Sequence, residues 1–162
     1  MGLEYIVEVR REDRVGVGFG GAVIGYRGYM HSLEYAKDRL QGRKASEKNP
    51  ESPQVPIINH ADVRRMLLAQ KAYSEGGLAL CLYGARLMDD QHTHPDEKKR
   101  TEAGKLLDLL TPVIKTWPSE HGPKANDLAI QVYGGAGYTR EYPVEQCWRD
   151  NRLNPIHEGT TG

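Results

Sequence analysis

The sequence is short of cysteine, of net charge and of long apolar runs, and each shortage removes a class of function. Its two cysteines, Cys81 and Cys147, stand far apart and form no C-x-x-C pair. Nothing at the start reads as a signal peptide, so a reducing cytoplasm is the expected compartment. Lysine and arginine number 22 and aspartate and glutamate 22, so no overall field recruits nucleic acid or an anionic membrane. No stretch approaches the roughly 20 apolar residues needed to span a bilayer. What is there is a chain of 162 residues, 38% hydrophobic and 27% charged, the composition of one soluble globular domain with a core.

The dominant period is helical. Over residues 61–90, Val63, Met66, Leu67, Tyr73, Leu80, Tyr83 and Leu87 recur at steps of three, four or their sums, which only a helix puts on one side. A second helix is expected from Pro95, followed by Asp96 and Glu97 where the helix dipole favours acids. It runs through Leu106, Leu109, Leu110 and Val113 towards Trp117, with a kink at Pro112 and an end at Pro118. A third covers about 123–133 and halts at Gly134 and Gly135; a short fourth covers about 142–151. Residues 42–56 read as an exposed, proline-rich loop. Strand candidates are nearly absent, so the expected class is all-α, an up-and-down helix bundle.

The first 40 residues admit two readings. "YIVEV" at 5–9 resembles a strand, and "GVGFGG" at 16–21 matches the dinucleotide-binding pattern G-x-G-x-x-G, with Asp38 downstream where a ribose-binding acid would stand. Against it, "RREDR" separates strand from turn, and no second βαβ unit follows. The other reading makes 3–40 one long helix in which Gly16, Gly20, Gly21, Gly25 and Gly28 let neighbouring backbones approach. Each glycine costs such a helix about 1 kcal/mol relative to alanine, so close packing must compensate.

Other chemical patterns are thin. His92 and His94 form an H-x-H pair with no third ligand indicated, and no metal is expected. Tyr26, Tyr29, Tyr35 and Trp148 read as packing residues, and Lys98, Lys99 and Arg100 as a solvated first turn.

The C-terminal stretch is more specific. "AIQVYGGAGYTREYPVEQCWRDNRLNPIHEGTTG", residues 129–162, resembles the C-terminal signature of the flavin-dependent acyl-CoA dehydrogenases: a Q-x-x-G-G-x-G-Y turn, then Y-P-V-E, R-D and E-G-T. "YAKDRLQGR" (35–43) resembles that family's Y-A-x-x-R-x-Q-F-G segment, and "DRVGVGFGGAVIGYRGY" (13–29) its first C-terminal-domain helix. "NPIHEGT", "SPQVPIINHADVRRMLLAQKAY" and "WPSE" are most similar to the longer bacterial members that include methylthiopropanoyl-CoA dehydrogenases. The resemblance implies an N-terminal helical domain, a middle β domain that holds the flavin ring, and a C-terminal four-helix bundle. This chain, 1–162, then corresponds to the bundle alone, ending before the family's last helix.

The same resemblance implies roles for residues. Glu158 matches the catalytic base, which takes the proton α to the thioester while a hydride leaves the β carbon for the flavin of FAD. Gly159 matches a position beside the substrate, and Thr160 and Thr161 positions near the flavin; Gly162 replaces a family glutamine. Arg39 and Gln41 match residues that reach the pyrophosphate or adenosine half of FAD across a subunit interface. Gln131, Val132, Tyr133, Gly134 and Gly135 match the turn that receives that half; read without the family, the glycines are an ordinary helix stop. Arg14 matches an arginine on the CoA portion of the substrate. The chain departs from the pattern at Gly42-Arg43, where the family has F-G, at Arg11, where it prefers a small polar residue, and at Ala61, where many members have glutamine.

Two functional classes follow. One is the C-terminal domain of an FAD-dependent acyl-CoA dehydrogenase, inactive without the other domains and with an undetermined electron acceptor. The other is a stand-alone helical assembly module or inactive remnant. Both predict a homo-oligomer, since the glycine-rich face of 16–28 and the apolar stripe of 61–90 would otherwise lie uncovered.

Overall fold

The computed structural model describes residues 2–157, with side chains from Glu12 onward. Four helices follow one another: α1 (Gly2–Asp38), α2 (Ala61–Thr93), α3 (Glu97–Tyr133) and α4 (Pro143–Asn151). Among the described residues there is no strand, only one antiparallel bridge between Leu40 and Pro56. "YIVEV" and "GVGFGG" both lie within α1, so the dinucleotide-binding reading is excluded: a phosphate-binding turn cannot form inside a continuous helix.

Contacts along the helices fix their directions. Gly18, Gly21, Gly25 and Gly28 of α1 face Ile114, Pro118, Gly122 and Asn126 of α3 in the same order, so these two helices run parallel. Gly77 of α2 meets Pro118 and Gly84 meets Ile114, so α2 runs opposite to α3. This is the up-and-down arrangement, with α4 packed across α1 and α3.

The glycines of α1 divide into two sets. Side chains at Gly16 and Gly20 would meet nothing within 4 Å, so these two do not serve close approach. At Gly18 a Cβ would lie 2.2 Å from the Ile114 carbonyl oxygen, and at Gly21 it would lie 3.0 Å from that of Pro118. The steps of three and four residues from Gly18 to Gly28 keep this bare strip on one side of the helix.

The strip also accounts for a misread helix end. α3 does not stop at Pro118 but continues through Pro112, Pro118 and Pro123, joining the expected 95–117 and 123–133 helices. Pro118 has no N–H for the Ile114 carbonyl four residues earlier. That carbonyl is the one that faces Gly18, so the helix end is avoided by packing. Neighbouring side chains add hydrogen bonds: Thr111 Oγ1 donates to Leu107 O at 2.7 Å and Ser119 Oγ to Lys115 O at 2.5 Å. At its start, Asp96 caps α3 by accepting from Lys98 N at 2.9 Å.

The buried stripe of α2 is also smaller than its leucines and tyrosines suggest. Met66, Leu67 and Leu87 are buried as expected, but Tyr83 is 48% exposed, and Gln70, Ser74, Gly77, Cys81 and Gly84 fill the interior between them. Small residues dominate because three long helices meet closely there. Exposed leucines are left outside, including Leu68 (68%), Leu82 (60%) and Leu109 (71%).

Candidate functional site

One end of the bundle is built as a cleft. The chain leaving α1 turns back on the segment that enters α2: Gln41 N donates to Val55 O at 3.0 Å, Val55 N to Gly42 O at 3.1 Å and Ile57 N to Arg39 O at 2.8 Å. Gly42 takes a left-handed φ of +68°, where its lack of a Cβ matters, because the His60 ring would be 3.4 Å from one. The His60 Nε2 lies 2.8 Å from Gln41 O and closes the turn. The exposed loop 42–56 is thus tied at its base, which fixes where Arg39 and Gln41 stand.

Opposite them α3 ends at Gly134, whose φ of +63° stops the helix; a 3-10 turn, Gly134–Tyr138, carries the chain towards α4. The space between is a cleft of about 690 Å³ lined by Arg39 and Gln41 on one side and Gln131 to Gly135 on the other. Arg39, Gln41, Gln131, Gly134 and Gly135 are exposed on it. Val132 (5%) and Tyr133 (8%) are buried, so their side chains belong to the core beneath.

That floor is aromatic. Tyr35 and Tyr133 stack with centroids 4.0 Å apart, and Tyr142 at the start of α4 meets Tyr133 at 5.3 Å. The Tyr133 hydroxyl donates to His31 O at 3.2 Å, and burial raises its pKa, with Tyr35 adding to the effect. Tyr35, Gly42, His60 and Tyr142 line the cleft but were not among the residues expected there. Tyr35 carried a signal, since it opens the "YAKDRLQGR" segment; nothing in the sequence pointed to His60.

The lining has a chemical bias. Among the described residues it contains a guanidinium, an imidazole, two glutamines and three tyrosines, and no carboxylate. Arg39 has no side-chain partner among the described residues, so its charge faces the opening uncompensated. An added Cβ at Gly134 or Gly135 would meet nothing within 4 Å, so the backbone at this turn is open to a ligand. Such a donor set suits an anionic, ring-bearing molecule of the diphosphate and nucleoside kind.

The other expected site residues are not gathered here. Arg14 is half-buried on α1, about 25 positions before Arg39, or roughly 37 Å along the helix. Glu158, Gly159, Thr160 and Thr161 lie outside the described residues. Both cysteines are free and buried. Among the described residues no three His, Cys, Asp or Glu side chains come together as metal ligands; the His94 Nδ1 accepts from Asp96 N at 3.1 Å. No helix among them is long and apolar enough to cross a membrane.

Comparison with known proteins bears on the whole chain. The family model described as acyl-CoA dehydrogenase, C-terminal domain, matches residues 1–162. The chain is 39% identical to 3-methylmercaptopropionyl-CoA dehydrogenase of Ruegeria pomeroyi, over 99% of its own length and 27% of that protein's. It is 37% identical to a broad-specificity linear acyl-CoA dehydrogenase of Mycobacterium tuberculosis, over 99% of its own length and 26% of the relative's. It therefore spans about a quarter of the curated relatives it matches. Butyryl-CoA dehydrogenase from Megasphaera elsdenii superimposes with a TM-score of 0.72 at 24% identity, over 93% of this chain and 33% of that one, a likeness of fold.

Proposed function

Because the chain belongs to the acyl-CoA dehydrogenase family as its C-terminal domain, we propose that it supplies the bundle's share of an FAD site and a catalytic base for α,β-desaturation of an acyl-CoA thioester. The observation that carries this reading is the cleft, which draws Arg39 and Gln41 to Gln131–Gly135 across some 90 residues of sequence and, among the described residues, presents no acid. FAD, when bound, supplies the acceptor for the β hydride.

The chain's own residues have distinct tasks. The Arg39 guanidinium, which cannot be deprotonated, offsets diphosphate charge, and the amides of Gln41 and Gln131 donate to its oxygens. Gly134 and Gly135 let a phosphate approach the turn without side-chain interference. Val132 and Tyr133 hold the turn from beneath. Glu158 takes the α proton. Gly159 leaves room for the thioester, Thr160 and Thr161 border the flavin, and Arg14 meets the CoA portion. The remaining grip on FAD comes from an N-terminal helical domain and a middle β domain. Exposed Leu68, Leu82 and Leu109 support homo-oligomeric assembly, which would bring one copy's cleft to another's flavin. A reducing cytoplasm is the compartment this reading takes, supported by two free, buried cysteines.

Flavin retention tests this reading. The chain by itself purifies colourless, because it holds only half of the grip. Fused behind the N-terminal and middle domains of the Ruegeria pomeroyi relative, it purifies yellow. Arg39→Ala in that fusion removes charge-assisted hydrogen bonds of about 1.5–3 kcal/mol, weakening FAD roughly 10- to 100-fold. A yellow isolated chain with stoichiometric FAD, or an Arg39→Ala fusion with unchanged affinity, would contradict it.

A further inference from the structure

The three tyrosines on the cleft are not equivalent. Tyr35 of α1 and Tyr133 of α3 stack with centroids 4.0 Å and planes 17° apart, so each covers a face of the other. Tyr133 is also only 8% exposed, and its hydroxyl is held by His31 O at 3.2 Å. Tyr142 meets Tyr35 at 6.1 Å and 77° and Tyr133 at 5.3 Å and 60°. Neither contact is parallel, so no described ring lies flat on Tyr142. At 36% exposure it is the most open of the three.

The ring is also firmly placed. Tyr142 stands at the start of α4 in an extended conformation, with φ −119° and ψ 146°, and Pro143 opens the helix behind it. Val144, the next residue, is fully buried in the cluster that holds Ala129 and Tyr133. Among the described residues Tyr142 is the one residue shared between the cleft and a neighbouring hollow of about 550 Å³. That hollow carries Glu141 and Glu145 beside Arg140 and Arg149, so its charges cancel. The cleft offers the Arg39 guanidinium with no carboxylate among its described lining, so an anionic nucleotide meets Tyr142 from the cleft side.

We propose that Tyr142 binds the adenine of the cofactor by stacking, while Arg39 and the Gly134–Gly135 turn take the diphosphate. This role for Tyr142 rests on the reading of the cleft as the bundle's share of an FAD site. A phenol ring presents a π-face on which a purine lies without a hydrogen bond, so the contact depends on the ring and not on its hydroxyl. A ring that the start of a helix already holds in place loses little freedom when the base arrives.

Adenosine diphosphate and inorganic pyrophosphate, titrated separately into the chain, separate the base from the phosphates. With adenosine diphosphate, the NMR signals of the Tyr142 ring protons are expected to move upfield, as they do under an aromatic ring, and the Gly134 and Gly135 amides to shift as well. With pyrophosphate only the glycine amides shift. Tyr142→Leu is expected to weaken adenosine diphosphate about tenfold and to leave pyrophosphate within about twofold, while Tyr142→Phe keeps both within about twofold. Shifted glycine amides beside an unmoved Tyr142 ring, or Tyr142→Leu with unaltered affinity for adenosine diphosphate, overturn the stacking and leave the cleft reading in place. Equal weakening of both probes in Tyr142→Leu assigns the ring to packing and overturns it too, as does a Tyr142→Phe chain as weak as Tyr142→Leu. If neither probe moves the Gly134 and Gly135 amides, the cleft reading and the role of Tyr142 fall together.

Discussion

Replacing Gly122 and Gly20 by alanine should have opposite effects, although both lie inside long helices. A Cβ at Gly122 falls 2.3 Å from Gly21 O, more than 1 Å inside the roughly 3.5 Å at which such contacts become favourable. The atom in the way is backbone, so α1 and α3 must separate, and overpacking of this kind costs about 1–3 kcal/mol. The same Cβ crowds Asn151 Nδ2, and stranding its buried partners adds about 1–3 kcal/mol. Alanine's helix propensity returns only about 1 kcal/mol. The net is a loss near 3 kcal/mol, which for a domain of this size lowers Tm by roughly 10 °C. At Gly20, where nothing lies within 4 Å, only the propensity remains, so Gly20→Ala should raise Tm by about 2–4 °C. Thermal unfolding followed by circular dichroism at 222 nm reads both. If the two variants shift Tm in the same direction, the glycine strip is not what sets the α1–α3 distance.

Three further outcomes are expected. Burial, with Arg27 adding, lowers the His31 pKa below 6.5, so the unfolded chain binds the proton more readily; stability is lost as pH falls below about 6.5. In His31→Gln the urea midpoint should therefore drop less between pH 7 and pH 5, and an unchanged drop would refute the assignment. Burial pushes Cys81 up to about 11 and raises Cys147 as well, so neither thiol should react with a disulfide reagent at pH 8 until the chain is unfolded. Sedimentation should show a dimer or larger species at micromolar concentration, weakened by Leu82→Glu together with Leu109→Glu; a wild-type monomer would count against assembly.

The sequence was most legible where one local pattern decides the outcome. The all-α class, the start of α2 at residue 61, the halt of α3 at Gly134 and the position of α4 follow from periodicity, glycine and proline. It was least legible where one helix changes what another tolerates. Pro118 normally ends a helix, and α3 continues where the Ile114 carbonyl that Pro118 leaves without a donor faces Gly18 across the bundle. Gly16 and Gly20 look like Gly18 and Gly21 in sequence, and only the facing helix tells them apart. On the cleft, Arg39, Gln41 and Gln131–Gly135 were found through a motif. His60 escaped because its role depends on a contact with Gln41 O across 19 positions. Asn126, Asn151 and Asn154, which the fold buries and links by side-chain hydrogen bonds, escaped because buried amides look like surface asparagines until the fold brings them together.

The central claim, that this chain brings the base to an acyl-CoA dehydrogenase, is tested most directly by Glu158→Gln in the fusion with the relative's N-terminal and middle domains. Glutamine keeps the shape of the side chain but cannot accept the α proton. Stopped-flow absorbance after mixing with saturating acyl-CoA follows flavin bleaching in a single turnover, apart from product release. The account predicts a yellow Glu158→Gln protein with full FAD content whose bleaching is abolished while the unmutated fusion bleaches. Bleaching at the unmutated rate would contradict it.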